Sequence, residues 1–324
     1  MSTSATASVP ILPRFQNGAR SQQLLTVLLG DYWHARKEPI PSAALVELLQ
    51  VFGITATGGR AAIQRLAQRG FLIGTKAGRL TAYAVSPMSR ERINYHVRAL
   101  FMGHISQPWD GTWTLVGYSL PEDARGTRRL LRDQLRQLHF GNLYDALWIR
   151  PGNQLESVVE LQANLGAQLN QDHLTVFTDA RLPEGTGLDA IHAAFGLPEL
   201  AADYAAFINR WEPFARKLEQ GPEAVLGLSP GSSERSGDEA LRLRTSLMAD
   251  WRTLRRQDPR LPHELLGAGF PLYRAVAACA ALYDSLGPAA EAGVRRILRV
   301  HDEQLAERIT HHTFAASASL LSED

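Results

Sequence analysis

Residues 55–83, TATGGRAAIQRLAQRGFLIGTKAGRLTAY, leave a chain little freedom. A short helical pattern, a glycine stop, an apolar strand, a basic turn and a second strand follow one another without slack. On a helix, Ala62, Ile63, Leu66 and Ala67 share one face suited to a core. The opposite face carries Thr57, Ala61, Gln64 and Gln68, flanked by Arg60 and Arg65. Gly70 stands where a helix end takes a residue tolerant of positive φ. Phe71, Leu72 and Ile73 read as a strand, Lys76-Ala77-Gly78-Arg79 as a hairpin tip, and residues 80–85 as the returning strand. Such a helix beside a cationic hairpin is the reading surface of a winged helix-turn-helix. Arg and Gln meet base edges in the major groove and the hairpin meets the backbone. The candidate DNA contacts are Thr55, Thr57, Arg60, Gln64, Arg65, Gln68, Lys76 and Arg79. The pattern alone also suits a solvated helix and basic hairpin on an ordinary α/β protein.

Charge distribution favours the first reading. Residues 1–105 hold twelve Arg/Lys against four Asp/Glu, a net of +8, while the remainder holds 22 against 29, a net of −7. The N-terminal third is therefore the part expected to meet a polyanion. A chain of 324 residues has room for two or three cores. Hydrophobic content of 45% with 21% charged residues is that of a globular protein. The single Cys279 precludes an intramolecular disulfide framework and fits a reducing, cytoplasmic setting, in which it reads as a small buried apolar group. No apolar run is long enough to cross a membrane; residues 272–286 are interrupted by Arg274 and Asp284.

In chain order, residues 1–19 are expected to be a disordered tail and residues 20–87 a module of three helices and a hairpin. Within it Pro39 and Pro41 break the first helix, Ser42 caps the second, and Thr55 or Thr57 caps the third. Gly58 and Gly59 are poor helix formers but tolerable in a first turn, where they allow close backbone approach to DNA. Pro87 marks a break, and residues 88–108 form a linker with a helix over 91–102. Residues 109–182 read as strand (112–120), helix (125–138, with Leu130, Leu131, Leu135 and Leu138 inward), strand (143–149), helix (155–169) and strand (174–179). That order favours a small ferredoxin-like α+β domain. After a linker at 183–187, residues 188–324 form a helical domain, with a loop at 229–237 and a last long helix over 289–310.

Several landmarks together resemble the phenylacetate-degradation repressor (PaaX) family of bacterial transcription regulators. The first is Arg60, Arg65 and Leu66 with Gly70, Gly78 and Tyr83. The second is W-D-G-x-W at residues 109–113, then F-G-x-L at 140–143 and a strand ending in Pro151. The third is D-P-x-L-P-x-E-L-L at 258–266. The resemblance implies a cytoplasmic homodimeric repressor of aromatic catabolism on a palindromic double-stranded operator. It further implies release by an aromatic acyl-CoA such as phenylacetyl-CoA.

Enzymatic signatures are sparse. His301, Asp302, His311 and His312 lack the spacing of a metal site and suit a polar helix, so neither metal nor cofactor is expected. The middle segment is similar to the ferredoxin-like fold of CRISPR-associated endoribonucleases, whose first strand supplies a metal-binding Asp. Here that strand has no carboxylate, and Asp110 lies in the turn before it. Trp251 shares a helix face with Leu247 and Leu254, as core residues do, while Arg252, Arg255 and Arg256 beside it could meet the phosphates of a CoA-type ligand. The fold expected is thus α+β and multidomain: winged helix, ferredoxin-like middle, helical C-terminal part. The function expected is an effector-released repressor. Its alternatives are a nucleic-acid binder without effector and an enzyme that docks through its winged helix.

Overall fold

The computed structural model describes residues 18–33, 36–77, 80–102, 108–166, 173–183, 188–227 and 233–319. Most of the expected N-terminal tail, Gly78 and Arg79 of the hairpin tip, and residues 184–187 of the second linker lie outside the described residues. The fold is mixed α+β, with a three-stranded and a four-stranded antiparallel sheet among many helices. The residues group into two compact units, one of Met1–Met102, Phe207–Thr253 and Arg274–Asp324, the other of Gly103–Ala206 and Leu254–Tyr273.

In the first unit, α1 (Gly18–Trp33) buries Leu24, Leu25, Leu28 and Leu29, the spacing of one helical face. Pro39 and Pro41 do more than break it. Ile40–Pro41 forms a short strand, β1, paired with Tyr83 and Ala82. Proline is tolerated there because β1 is an edge strand. Pro41 is also the residue before α2 (Ser42–Gln50), so Ser42 is the first helical residue and not its cap. Next come α3 (Ala56–Gln68), β2 (Leu72–Ala77) and β3 (Leu80–Val85), in sheet order β1-β3-β2. Gly70, at φ 71°, reverses the chain after α3, a conformation that strains any residue with a Cβ. Pro87 does not interrupt structure. It opens α4 (Pro87–Met102), where its missing N–H is harmless, and Ser86 Oγ accepts from the Ser89 N–H at 3.3 Å.

The middle segment runs β4 (Trp113–Tyr118), α5 (Arg125–Gln137), β5 (Gly141–Tyr144), β6 (Leu147–Pro151), α6 (Leu155–Leu165) and β7 (Leu174–Ala180). Its antiparallel sheet has the order β5-β6-β4-β7. The single strand expected over 143–149 is two strands with a reversal between them. The Asn142 amide holds that turn, donating to the carbonyls of Tyr144, Asp145 and Leu147. Leu131 and Leu135 of α5 pack with Val116, Trp148, Val158 and Leu161, whereas Leu130 faces solvent.

The helices that follow are α7 (Leu188–Ala194), α8 (Leu197–Lys217), α9 (Pro222–Leu226), α10 (Ser233–Gln257), α11 (His263–Leu266), α12 (Leu272–Ser285), α13 (Gly287–Arg299), α14 (Glu303–Arg308) and α15 (Phe314–Ser319). Residues 233–237, expected in a loop, form the start of α10 because Gly237 lies against Gly293 of α13. A Cβ on Gly237 would come within 3.0 Å of the Gly293 backbone, and one on Gly293 within 2.7 Å of the Gly237 carbonyl oxygen. The long helix expected over 289–310 is divided, since Asp302 turns the chain and caps α14 by accepting from the Leu305 N–H at 2.9 Å.

At the centre of the first unit lies the fully buried Arg244 of α10. Its Nε donates to the Tyr283 carbonyl and its Nη1 to the Tyr32 hydroxyl, both at 3.1 Å, and its Nη2 donates to the His312 carbonyl. The guanidinium lies 3.6 Å from the Tyr283 ring centroid, and Asp31 of α1 is 3.9 Å away. One cation thereby ties α1, α10, α12 and the segment before α15.

Candidate nucleic-acid interface

The phase of α3 separates two faces. Gly59, Ala62, Ile63 and Leu66 are buried, while Thr57, Arg60, Gln64, Arg65 and Gln68 are exposed. Thr55 caps the helix: its Oγ1 accepts from the Gly58 N–H at 3.1 Å, which fixes the hydroxyl at the helix start and leaves its O–H to donate. Gly59 faces inward, a Cβ there meeting Leu49 and Val46 of α2 at 3.5–3.7 Å. Its role is helix packing, not close approach to an external ligand. Lys76 lies on β2, paired with Thr81 and exposed, while Arg79 lies outside the described residues.

Arg69, just past the end of α3, extends the exposed cationic face beyond the residues that pattern reading selected. Its signal was present: it stands four residues after Arg65. Among the described residues, Arg60, Arg65, Arg69 and Lys76 have no acidic side chain within ion-pair distance. Uncompensated guanidinium and ammonium groups on one helix and its neighbouring hairpin can take phosphate oxygens and the acceptor edges of guanine.

The four residues assigned to a ligand have different settings. Trp251 is fully buried, in tilted contact with the Phe207 ring with centroids 5.4 Å apart, and its indole N–H donates to the Leu100 carbonyl at 3.2 Å. Arg252 is half-buried and lines a cavity in the first unit. Arg255 is buried in the second unit, donating to Asp258 and, at 2.9 Å, to the Tyr204 hydroxyl. Arg256 is exposed. Asp258, first residue of the D-P-x-L-P motif, also accepts from the Tyr204 hydroxyl and from the Arg260 N–H, the latter at 2.7 Å. The motif is therefore the counter-charge of a buried arginine.

The W-D-G-x-W motif folds a turn. Asp110 Oδ1 accepts from the Thr112 N–H and hydroxyl at 2.8 and 2.7 Å, bonds that hold its carboxyl below the usual range. Gly111 takes φ 78°, and Trp109 stacks edge-on to the buried Trp113 at 5.2 Å. The C-terminal histidines are paired separately, His301 with Glu47 at 3.1 Å and His311 with Glu291 at 2.6 Å. Among the described residues, no three His, Cys, Asp or Glu side chains converge to hold a metal ion. Nor is any helix among them long and apolar enough to cross a membrane.

Comparison with known proteins covers most of the chain. Residues 20–88 match the family described as PaaX-like protein, residues 106–188 the central Cas2-like domain of PaaX protein, and residues 195–296 the PaaX-like C-terminal domain. The chain is 28% identical to "Transcriptional repressor PaaX" of Escherichia coli (strain K12) over 276 residues, 84% of this chain and 82% of that protein. In structure it is similar to the uncharacterized protein Rv0674 from Mycobacterium tuberculosis. The TM-score is 0.52 at 24% identity, with 83% of this chain and 96% of that one covered, a likeness of fold alone.

Proposed function

The chain belongs to the PaaX family, and from that premise we propose that it represses transcription by binding a double-stranded operator through α3 and the β2–β3 hairpin. It is a transcriptional regulator, not an enzyme. The observation that carries the DNA-binding reading is the polarity of α3: one face buried, the other offering Thr57, Arg60, Gln64 and Gln68 without an internal acidic partner. Three helices followed by an antiparallel hairpin, with β1 as a third strand, support a winged helix-turn-helix over residues 20–87. The βαββαβ order with sheet order β5-β6-β4-β7 supports a ferredoxin-like domain over 109–182, between a linker helix and a helical part over 188–324.

One such module reads only a few base pairs, so the protein acts as a cytoplasmic homodimer on a palindromic site, two-fold pairing doubling the contacts. It is displaced by an aromatic acyl-CoA such as phenylacetyl-CoA and governs aromatic catabolism. The test begins with selection of a binding site from random duplex DNA. The selected site is expected to be a two-fold palindrome bound by two chains, and phenylacetyl-CoA to weaken binding. Arg60→Ala/Lys76→Ala with wild-type affinity for that site would sink the assignment of the reading surface. Undiminished binding with the thioester present would remove the effector alone.

A further inference from the structure

Within the first unit, α1, α4 and α10 enclose a cavity with the C-terminal turn of α3. Its volume is about 400 Å³, toward the lower end of the roughly 300–1,000 Å³ of small-molecule sites. Val27, Ile93, Phe101 and Met248 give it an apolar lining, and Arg69, Arg92 and Arg252 are among the residues that line it. His96, one turn beyond Arg92 on α4, lines it as well.

Asp31 is the acid that lines the cavity among the described residues, and burial raises its carboxyl above the ordinary range, which favours its neutral form. The Tyr283 hydroxyl donates to it at 2.8 Å, and Arg244 stands 3.9 Å away. Among the described residues, Arg69 and Arg92 have no acidic partner within ion-pair distance. Cations beside an apolar enclosure select a ligand of the complementary build: an anionic group at one end and an apolar body at the other.

We propose that this cavity binds a small organic anion with an apolar body, of the size of an aromatic carboxylate. The volume accommodates a ring and a short acidic arm, not an entire nucleotide-bearing thioester. A CoA thioester would reach the cavity with its acyl end while its phosphates remain outside. Both sources share the chemistry of an apolar group beside negative charge.

The location gives the site a consequence. Leu66 belongs to α3 and Arg69 to its terminal turn, and both line the cavity. A ligand seated there touches the element whose opposite face carries the candidate DNA contacts. This consequence rests on the repressor reading above; the site itself does not.

The experiment is titration calorimetry on the full chain with benzoate, phenylacetate, the uncharged phenylacetamide and phenylacetyl-CoA. It uses wild type, Arg92→Ala and Thr26→Phe, the last narrowing the cavity from α1. At least one acid is expected to bind in a one-to-one ratio, with the amide and Arg92→Ala each weakening the interaction roughly tenfold or more, as loss of a charge-assisted contact does. Thr26→Phe is expected to abolish binding while unfolding at the wild-type temperature. Failure of both acids and the thioester to bind wild type overturns the site, as does acid binding indifferent to both substitutions. Thioester binding indifferent to both substitutions also overturns the site but leaves the effector reading standing. Binding that both substitutions weaken, with no change in affinity for the selected DNA, supports the site and removes its coupling to the DNA-facing side of α3.

Discussion

Replacing Arg244 by Met keeps an apolar stem of similar reach and deletes the cation at the centre of the first unit. Three acceptors lose their donor: the carbonyls of Tyr283 and His312 and the hydroxyl oxygen of Tyr32. The Asp31 carboxyl loses the cation 3.9 Å away. Breaking a buried pair by removing one partner costs about 3–5 kcal/mol, and the orphaned acceptors keep the expected loss near the upper half of that range, about 4 kcal/mol. The loss is also pH-dependent. Burial raises the Asp31 carboxyl above its ordinary 3.8, while Arg244, the Tyr283 hydroxyl bond and Arg252 oppose that rise. A raised carboxyl contributes stability that is fully present below its unfolded value and is lost as pH rises through its folded value. Without Arg244 the folded value climbs further, so the Arg244→Met penalty is expected to be larger near pH 8 than near pH 5. Adding Asp31→Asn removes the buried charge and is expected to return about 2 kcal/mol at the higher pH. Urea unfolding of wild type, Arg244→Met, Asp31→Asn and the double variant at both pH values measures these terms. A single-mutant loss below about 1 kcal/mol, or the same loss at both pH values, refutes the reasoning.

Gly59→Ala is expected to raise stability by roughly 0.5–1 kcal/mol in thermal unfolding, because a Cβ there meets its neighbours at ordinary contact distances of 3.5–3.7 Å. Gly58→Ala is expected to gain less, since its Cβ would stand 3.2 Å from Thr55 Oγ1 and 3.3 Å from Ile54. His139 is pushed down from 6.5 to about 4, first by burial and then by Arg260 and Arg150. Its neutral form suits the fold, so its contribution is present above 6.5 and lost as pH falls toward about 4; His139→Gly is expected to flatten the pH–stability curve there and to relieve the φ of 61°. Arg60→Ala or Gln64→Ala is expected to cost roughly 1–3 kcal/mol of specific DNA binding in titrations, whereas Lys76→Ala is expected to lower the salt slope by about one.

Much of the order of elements was legible because it is local. The buried stripe Ala62, Ile63 and Leu66, the Gly70 stop and the β2–β3 hairpin follow from periodicity and backbone preference over a few residues. Local rules misled at the prolines. Pro41 and Pro87 read as breakers, yet an edge strand and a helix's first residue are the two places where a missing N–H does no harm. They also missed the reversal at Asp145 and Ala146, which carries neither glycine nor proline and rests on the Asn142 amide.

Sequence by itself determined which faces exist: a cationic, acid-poor N-terminal third, a helix polar on one side, and motifs whose order resembles one regulator family. It could not determine which arginine meets which partner. Arg244, Arg252 and Arg255 occur within twelve residues of one helix, yet the first is buried among tyrosines and carbonyls, the second lines a cavity and the third is neutralised by Asp258. Those fates depend on residues 31, 32, 204, 258, 283 and 312, brought near by packing. A guanidinium's charge is fixed by covalent structure. Whether it is spent inside the protein or offered to a ligand is fixed by the desolvation and partners that only tertiary structure supplies.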